Sequence, residues 1–426
     1  MATHETVFSM DTSNIKFGPG ATSEVGFEMR RLGTRRVLVV TDPNLADSQP
    51  VATTLGALAA EGIETELYSQ SRVEPTDQSF KDAIEVAAAG EFDGYVAVGG
   101  GSAMDTAKAA NLYTTYPADF LTYVNPPIGA GAPVPGPLRP LIAIPTTAGT
   151  GSETTGVAIF DFVEMHAKTG IAHRALRPTM GIVDPENTRS LPPMVAACSG
   201  FDVLCHAIES ITAIPYDSRE AAGSPALRPS YQGANPISDI WAASSLQLMS
   251  RNILRAVEHP EDDEARSQMM LAATYAGIGF GNAGCHLPHG MSYPVSGMVR
   301  DFRPEGYAVD HQIIPHGMSV ILNAPAVFRW TAQVNPQRHL WAAELLGADV
   351  SDASEADAGE VLADAIIALM RKVRMPNGLG AVGFESDDIP ALVEGTLPQH
   401  RVTKLSPRPA GPDDLAALFQ DAMRYW

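Results

Sequence analysis

Through its first 190 residues the chain alternates short β-branched runs with alanine-rich stretches of helical character, and the alternation stops at Leu191-Pro192-Pro193. Segments 37–40, 64–68, 95–98, 141–144 and 181–183 read as strands, and 51–60, 77–88 and 102–111 as helices. Strand and helix in strict turn predict βαβ units and a parallel sheet with helices on its faces. Beyond Pro192 the long patterns are helical (193–213, 240–258, 263–277, 357–372 and 413–425), with almost no convincing strand. Pro193 suits a first helical turn, where its missing N–H costs nothing. The expected architecture is an α/β N-terminal domain with a parallel sheet over 1–190, and an all-helical C-terminal domain over 191–426. Within the second half, segment 217–239 is rich in Pro, Gly and Ser and reads as a long loop.

Composition narrows the partners. Lys plus Arg number 29 against 49 Asp plus Glu, a formal net charge of -20. A surface this acidic repels polyphosphates and anionic lipid, so neither nucleic acid nor a membrane surface is expected as a partner. Three cysteines, Cys198, Cys205 and Cys285, cannot make a disulfide framework. They point to a reduced, cytoplasmic setting. The opening residues lack a basic stretch followed by an apolar run, and no apolar run is expected to approach the roughly 20 residues that span a bilayer.

Two segments carry the marks of a nucleotide site. Gly99, Gly100, Gly101, Ser102 and Asp105 fall where a strand gives way to a helix. Glycines there let the backbone approach a ligand, and the free N–H groups of a helix N-terminus suit pyrophosphate. The spacing is neither G-x-G-x-x-G nor a P-loop. A second segment, 145–153, follows another strand with four small hydroxyl residues and two glycines. Asp42 ends the first strand, where a carboxylate can accept hydrogen bonds from a ribose diol and repel a 2′-phosphate, which favours NAD over NADP.

In the second half, Asp202 and His206 stand at i and i+4 in a helical pattern, one turn apart on one face. His286, His289, His311 and His316 follow within 285–316. One carboxylate with three imidazoles suits Fe²⁺ or Zn²⁺ with coordination positions left open. Spacing alone does not choose between His286 and His289. The H-E-x-x-H pattern of zinc peptidases is absent.

Taken together these segments resemble the iron-containing (group III) alcohol dehydrogenase family, over essentially the whole chain. The strings are GGGSAMDTAK at 99–108, PTTAGTGSE at 145–153, DP at 184–185, GFDVLCHAIE at 200–209 and PHG at 315–317. The resemblance implies Asp202, His206, His289 and His316 as ligands of a divalent metal, iron before zinc. It implies NAD contacts at Asp42, Gly101, Ser102, Thr146, Thr147, Thr150, Lys168 and Phe280. Many members carry a further histidine four residues after the third ligand; here that residue is Tyr293.

Within the family, segment 228–241 and the string HLPHGMSYPVSG at 286–297 carry a narrower likeness to members that pass hydride between a hydroxyacid and an oxoacid through NAD. That likeness implies 4-hydroxybutyrate and 2-oxoglutarate as substrates, succinic semialdehyde and D-2-hydroxyglutarate as products, and a homo-oligomer. Arg228, Arg300 and Arg303, nearest to the site segments, are the candidate partners for the substrate carboxylates, and a surface position is the alternative for each. The competing readings are a conventional NAD-dependent alcohol dehydrogenase, a lyase of the dehydroquinate-synthase kind, and a nucleotide sensor without enzymatic activity. The lyases use Glu where this chain has Asp202.

Overall fold

The computed structural model describes residues 4–165 and 167–426. They form two compact units: Asp11–Leu191, and Pro192–Trp426 together with the stretch ending at Met10. In the first unit the strands are β1 (Asn14–Phe17), β2 (Arg36–Val40), β3 (Glu64–Tyr68), β4 (Gly94–Gly99), β5 (Leu141–Pro145), β6 (Val157–Phe162), β7 (Ala167–Ala172) and β8 (Met180–Val183). Six of them make one sheet in the order β1-β8-β5-β4-β2-β3, every neighbouring pair parallel. The exceptions are β6 and β7, an antiparallel pair of their own. Neither this pair nor the short edge strand β1 was among the sequence expectations.

The sheet's strands are near-continuous apolar runs because both faces are covered. Val37 and Val39 of β2, with Val96, Val98, Ile142, Ile144 and Ile182, pack beneath α1 (Val25–Arg31) and α2 (Gln49–Ala60). Leu38 and Val40, with Tyr95, Ala97, Leu141 and Ala143, face the opposite way, onto α3 (Asp77–Ala89) and α4 (Gly101–Thr115). Alternate residues therefore serve opposite cores, as the two-residue period of a strand requires. The Thr76 and Ser79 side chains form a capping box that starts α3.

Strand order decides where a ligand can bind. β2 lies between β3 and β4, so the chain moves one way from β2 to β3 and then reverses to β4. Open α/β sheets bind ligands at the carboxyl ends of strands beside such a reversal. Asp42 and Gly99 leave the sheet there.

The second unit is helical: α5 (Pro193–Thr212), α6 (Pro236–Glu258), α7 (Asp263–Ala283), α8 (Leu287–Gly297), α9 (His316–Ile321), α10 (Ala324–Thr331), α11 (Pro336–Leu345), α12 (Ala358–Lys372), α13 (Ile389–Thr396), α14 (His400–Thr403) and α15 (Pro412–Ala422). Between α5 and α6 runs a largely irregular stretch, and Asn235 caps α6 by accepting from the N–H groups of Ile237 and Ser238. The segment before Met10 is pinned to this stretch. Glu5 pairs with Arg228 at 3.0 Å, and the Ser9 N–H donates to Gln232. Contrary to the sequence expectation, α5 is long and apolar enough to cross a bilayer, but it is mostly buried inside the protein and carries Asp202, His206 and Glu209, so it is a core helix.

Two glycines on neighbouring helices give opposite expectations. A Cβ at Gly26 on α1 would lie 2.0 Å from the Ala57 carbonyl oxygen of α2, whereas one at Gly56 would meet nothing within 4 Å. Gly26→Ala should lower stability by about 2 kcal/mol or more through overpacking, and Gly56→Ala should raise it by up to about 1 kcal/mol through helix propensity. Urea unfolding midpoints of the two variants check this.

Candidate metal centre and nucleotide loops

Three separated stretches of the helical unit converge on one point. α5 supplies Asp202 and His206, α8 supplies His289, and α9 begins at His316. Asp202 Oδ1 lies 3.6 Å from His206 Nε2, 3.5 Å from His289 Nε2 and 3.6 Å from His316 Nε2. All four donor atoms fall within 4.8 Å of one another. Asp202 Oδ1 and His289 Nε2 are buried with no hydrogen-bond partner among the described residues. Leaving such atoms unsatisfied is costly, and a cation at their common focus satisfies both at once. The donor set therefore fits a divalent metal. Gly317 makes the approach feasible: a Cβ there would lie 2.0 Å from the Cys198 carbonyl oxygen and 3.0 Å from Asp202 Cβ.

Protonation agrees with this chemistry. Burial pushes the Asp202 carboxyl upward, but the facing His206, His316 and His289 outweigh it and the net shift is down. Burial holds His206 down to about 3, so its imidazole is neutral, the form that binds metal. At His289 burial works against the charged ring, yet Cys285, Glu209 and Asp202 prevail and raise it well above the usual histidine range. Anionic surroundings thus favour a positive charge at that spot. The Cys285 thiol also lies within reach of Glu209 and His289. Burial lifts it to about 11, which makes it a thiol and a poor ligand.

Glu209, which the sequence reading quoted but gave no part, holds this arrangement together. It is fully buried on α5, one turn beyond His206. Its Oε2 lies 2.5 Å from His289 Nδ1, and its Oε1 accepts from the backbone N–H groups of His286 (2.7 Å) and His289 (3.3 Å). One carboxylate thereby satisfies free N–H groups at the start of α8 and fixes a tautomer with Nδ1 protonated and Nε2 turned to the cluster. Its only sequence signal is spacing, since Asp202, His206 and Glu209 at i, i+4 and i+7 share one helix face. Phe280 of α7 stacks on His206 with ring centroids 3.8 Å apart and planes 5° from parallel.

His286 is not part of the donor group; its Nε2 is 2.8 Å from Thr212 Oγ1 and its ring meets Phe328 edge-on. His311 is also elsewhere, paired with Asp310. The three arginines expected near substrate carboxylates are otherwise engaged. Arg228 is bound to Glu5, Arg300 to Asp388, and Arg303 to the Val309 carbonyl. The arginine that the sequence reading missed is Arg401, whose Nη2 donates to Tyr293 Oη at 2.5 Å.

In the α/β unit the two glycine- and hydroxyl-rich loops interleave. A Cβ at Gly99 would lie 2.8 Å from Ala103 Cβ and 3.8 Å from Asp42 Oδ2, and one at Gly101 would lie 2.8 Å from Thr150 Cγ2. The Thr146 N–H donates to the Gly99 carbonyl. A Cβ at Gly100 would lie 3.4 Å from Thr147 Cγ2. Gly100 precedes α4 without any side-chain cap, so the first N–H groups of Gly101, Ser102 and Ala103 stay available to an anion. Burial raises the Asp42 carboxyl, against hydrogen bonds from Asn44 and Leu45. Lys168 pairs with Glu74 (2.7 Å) and Asp161 (2.9 Å). Asp105, at the start of α4, has partners within the protein. Its Oδ1 accepts from Ser152 Oγ and lies 3.6 Å from buried Lys108, and its Oδ2 accepts from the Ile159 N–H. Both oxygens are used to tie the two loops to β6.

A parallel sheet with an anion-receptive strand end, and a helical unit with a carboxylate–imidazole cluster, are the parts of a metal-dependent dehydrogenase. Comparison with known proteins agrees. The family described as iron-containing alcohol dehydrogenase matches residues 12–185, and its C-terminal part matches residues 230–423. The mitochondrial hydroxyacid-oxoacid transhydrogenase of Rattus norvegicus is 55% identical over 426 residues, covering 100% of this chain and 91% of that protein. A probable mitochondrial hydroxyacid-oxoacid transhydrogenase of Dictyostelium discoideum is 56% identical over 431 residues, covering 98% of this chain and 79% of that protein. Among solved structures, a 1,3-propanediol oxidoreductase superposes with a TM-score of 0.85 at 28% identity, covering 98% of this chain and 100% of that one. The sulfoacetaldehyde reductase of Bifidobacterium kashiwanohense in complex with NAD⁺ does so with a TM-score of 0.79 at 26% identity, covering 98% and 99%. This chain is an oxidoreductase, and it belongs to the iron-containing alcohol dehydrogenase family.

The expected cytoplasmic setting does not stand, because hydroxyacid-oxoacid transhydrogenases similar to this chain are mitochondrial proteins.

Two expectations follow from the buried groups. Glu209→Gln keeps the shape but weakens the hold on His289, and should cut metal affinity about 10- to 100-fold, read as metal retained after titration with a chelator. Burial depresses His286 and His339 from 6.5 to about 4 in the folded protein. Between those values the unfolded chain binds more protons, so stability rises with pH and is lost as pH falls from about 6.5 towards 4. His339→Asn should make the urea midpoint less steep in that window.

Proposed function

We propose that this enzyme transfers hydride from a hydroxyacid to an oxoacid through NAD, oxidising 4-hydroxybutyrate to succinic semialdehyde and reducing 2-oxoglutarate to D-2-hydroxyglutarate. The observation that carries this reading is the 55% identity, along the whole chain, to a protein described as hydroxyacid-oxoacid transhydrogenase. The donor cluster is the chemical support for it.

Asp202, His206, His289 and His316 would hold the divalent ion, which we take to be iron. Glu209 keeps the His289 ring in the metal-binding tautomer, and Phe280 buttresses His206 from the side. Gly99, Gly100, Gly101 and Ser102 would receive the pyrophosphate of NAD at the start of α4, with Thr146, Thr147 and Thr150 on the neighbouring loop. Asp42 would take the adenosine ribose hydroxyls and repel a 2′-phosphate. When bound, the ion supplies Lewis-acid polarisation of the substrate oxygen and NAD supplies the hydride acceptor. Retention of one NAD between the two half-reactions separates this reading from a conventional alcohol dehydrogenase that exchanges nucleotide each turn.

Purified protein, freed of added nucleotide, should release NAD on denaturation and turn over 4-hydroxybutyrate with 2-oxoglutarate when no NAD is supplied. A need for stoichiometric free NAD would leave the conventional dehydrogenase. Asp202→Ala should lower turnover by about 10³-fold or more while metal content falls, because the carboxylate is the sole anionic member of the donor set.

A further inference from the structure

The substrates of the proposed reaction, on which this inference rests, end in carboxylates, and such a group needs a cationic partner where water is excluded. Among the described residues of the helical unit, one arginine stands out beside the donor cluster. Arg401 lies on the short helix α14, packed against α8, where a Cβ at Gly290 would come 2.8 Å from Thr403 Cγ2. Its Nη2 donates to Tyr293 Oη, and Tyr293 stands one helical turn beyond His289 on the same face of α8. Its guanidinium lies over the Tyr231 ring at 5.2 Å. Tyr231 in turn meets Phe280 edge-on at 6.4 Å, and Phe280 stacks on His206. A run of side chains therefore links the arginine through Tyr231 and Phe280 to His206, and Tyr293 shares the helix face of His289.

Arg401 has no carboxylate partner among the described residues. Arg228, Arg300, Arg329 and Arg338 each pair with a carboxylate. Besides burial, the groups acting on Arg401 are the hydroxyls of Tyr293 and Tyr231 and the Cys285 thiol, none of them a carboxylate. Its Nη1 is buried with no hydrogen-bond partner among the described residues. A buried guanidinium without an anion is expensive, and its fork of donors matches a carboxylate in two parallel hydrogen bonds.

We propose that Arg401, held in place by Tyr293 and Tyr231, binds the terminal carboxylate of the hydroxyacid and oxoacid substrates and so selects carboxylate-bearing substrates over plain alcohols. The two tyrosines fix the fork: one takes Nη2 and the other supports the guanidinium face. Nη1 keeps no protein partner among the described residues, so the charge is uncompensated from within the protein. Selection then comes from both directions, because an uncharged alcohol leaves the cation buried and unpaired.

The test compares holoenzyme of the wild type, Arg401→Met and Arg401→Lys on 4-hydroxybutyrate and on 1-butanol, which has the same four carbons and no carboxylate, with NAD supplied. Arg401→Met should raise KM for 4-hydroxybutyrate on the order of 10²-fold and leave KM for 1-butanol within about twofold. Arg401→Lys should recover part of the loss, and the Arg401→Met thermal midpoint should hold or rise, since an unpaired buried charge has gone. Equal losses on both substrates with a lower thermal midpoint would make Arg401 a structural residue and overturn the proposal, as would an unchanged KM for 4-hydroxybutyrate. A wild type with no preference for 4-hydroxybutyrate over 1-butanol overturns it too. Failure of transhydrogenation is read separately, as a need for free NAD, and leaves the ratio between the two substrates intact as a measure of Arg401.

Discussion

Two carboxylates buried on one face of α5 set the terms for the helical unit. Asp202 and Glu209 are 2% and 0% exposed, and no lysine or arginine pairs with either among the described residues. Charges so placed must be compensated, and here the compensation comes from imidazoles and from N–H groups at the start of α8. That need fixes the other elements. α8 must present its first turn to Glu209, and α9 must bring His316 close enough that Gly317 has no room for a side chain. Phe280 must lie flat on His206. A cluster with two negative carboxylates and a neutral His206 ring is also an attractive place for a divalent ion, so packing and chemistry demand the same arrangement.

The α/β unit follows a different rule. Its sheet is held by apolar burial on both faces, and polar groups matter where strands end. There Asp105, Ser152 and Lys108 form a buried knot that binds the two glycine- and hydroxyl-rich loops to β6. The loops can stay free of side-chain caps because the knot behind them carries the load of ordering them. Preorganised N–H groups of this kind hold an anion without having to reorganise first.

Much of this was legible in the sequence for physical reasons. β2, β4 and β5 are buried on both faces and read as unbroken apolar runs, so their positions were plain. β6 and β7 were not, because they pair only with one another, and β1 is a short, largely exposed edge strand with little apolar signal. The i, i+4 spacing of Asp202 and His206 declared one face of a helix, and the family resemblance singled out His289 and His316. Spacing could not separate His286 from His289; that distinction depends on which ring meets Glu209 and which meets Thr212. Arginines were the hardest to read. Arg228, Arg300 and Arg303 lie near site segments in sequence, yet their ion pairs and hydrogen bonds lie elsewhere, whereas Arg401 comes from a stretch more than a hundred residues after Tyr293. Sequence proximity carries little information about a long side chain whose partner comes from another helix.

The sheet's margins have a consequence of their own. β3 forms one border, and its outward residues Glu64 and Glu66 take Arg36 of β2 into ion pairs at 2.7 and 3.6 Å. β1 forms the other and is only four residues long. A border strand offers unpaired backbone groups that a foreign strand can adopt, and acidic side chains or brevity discourage this. These two margins therefore act as a guard against runaway fibre growth, and exchanging Glu64 and Glu66 for threonines would remove it on one side without disturbing a single atom of either chemical centre.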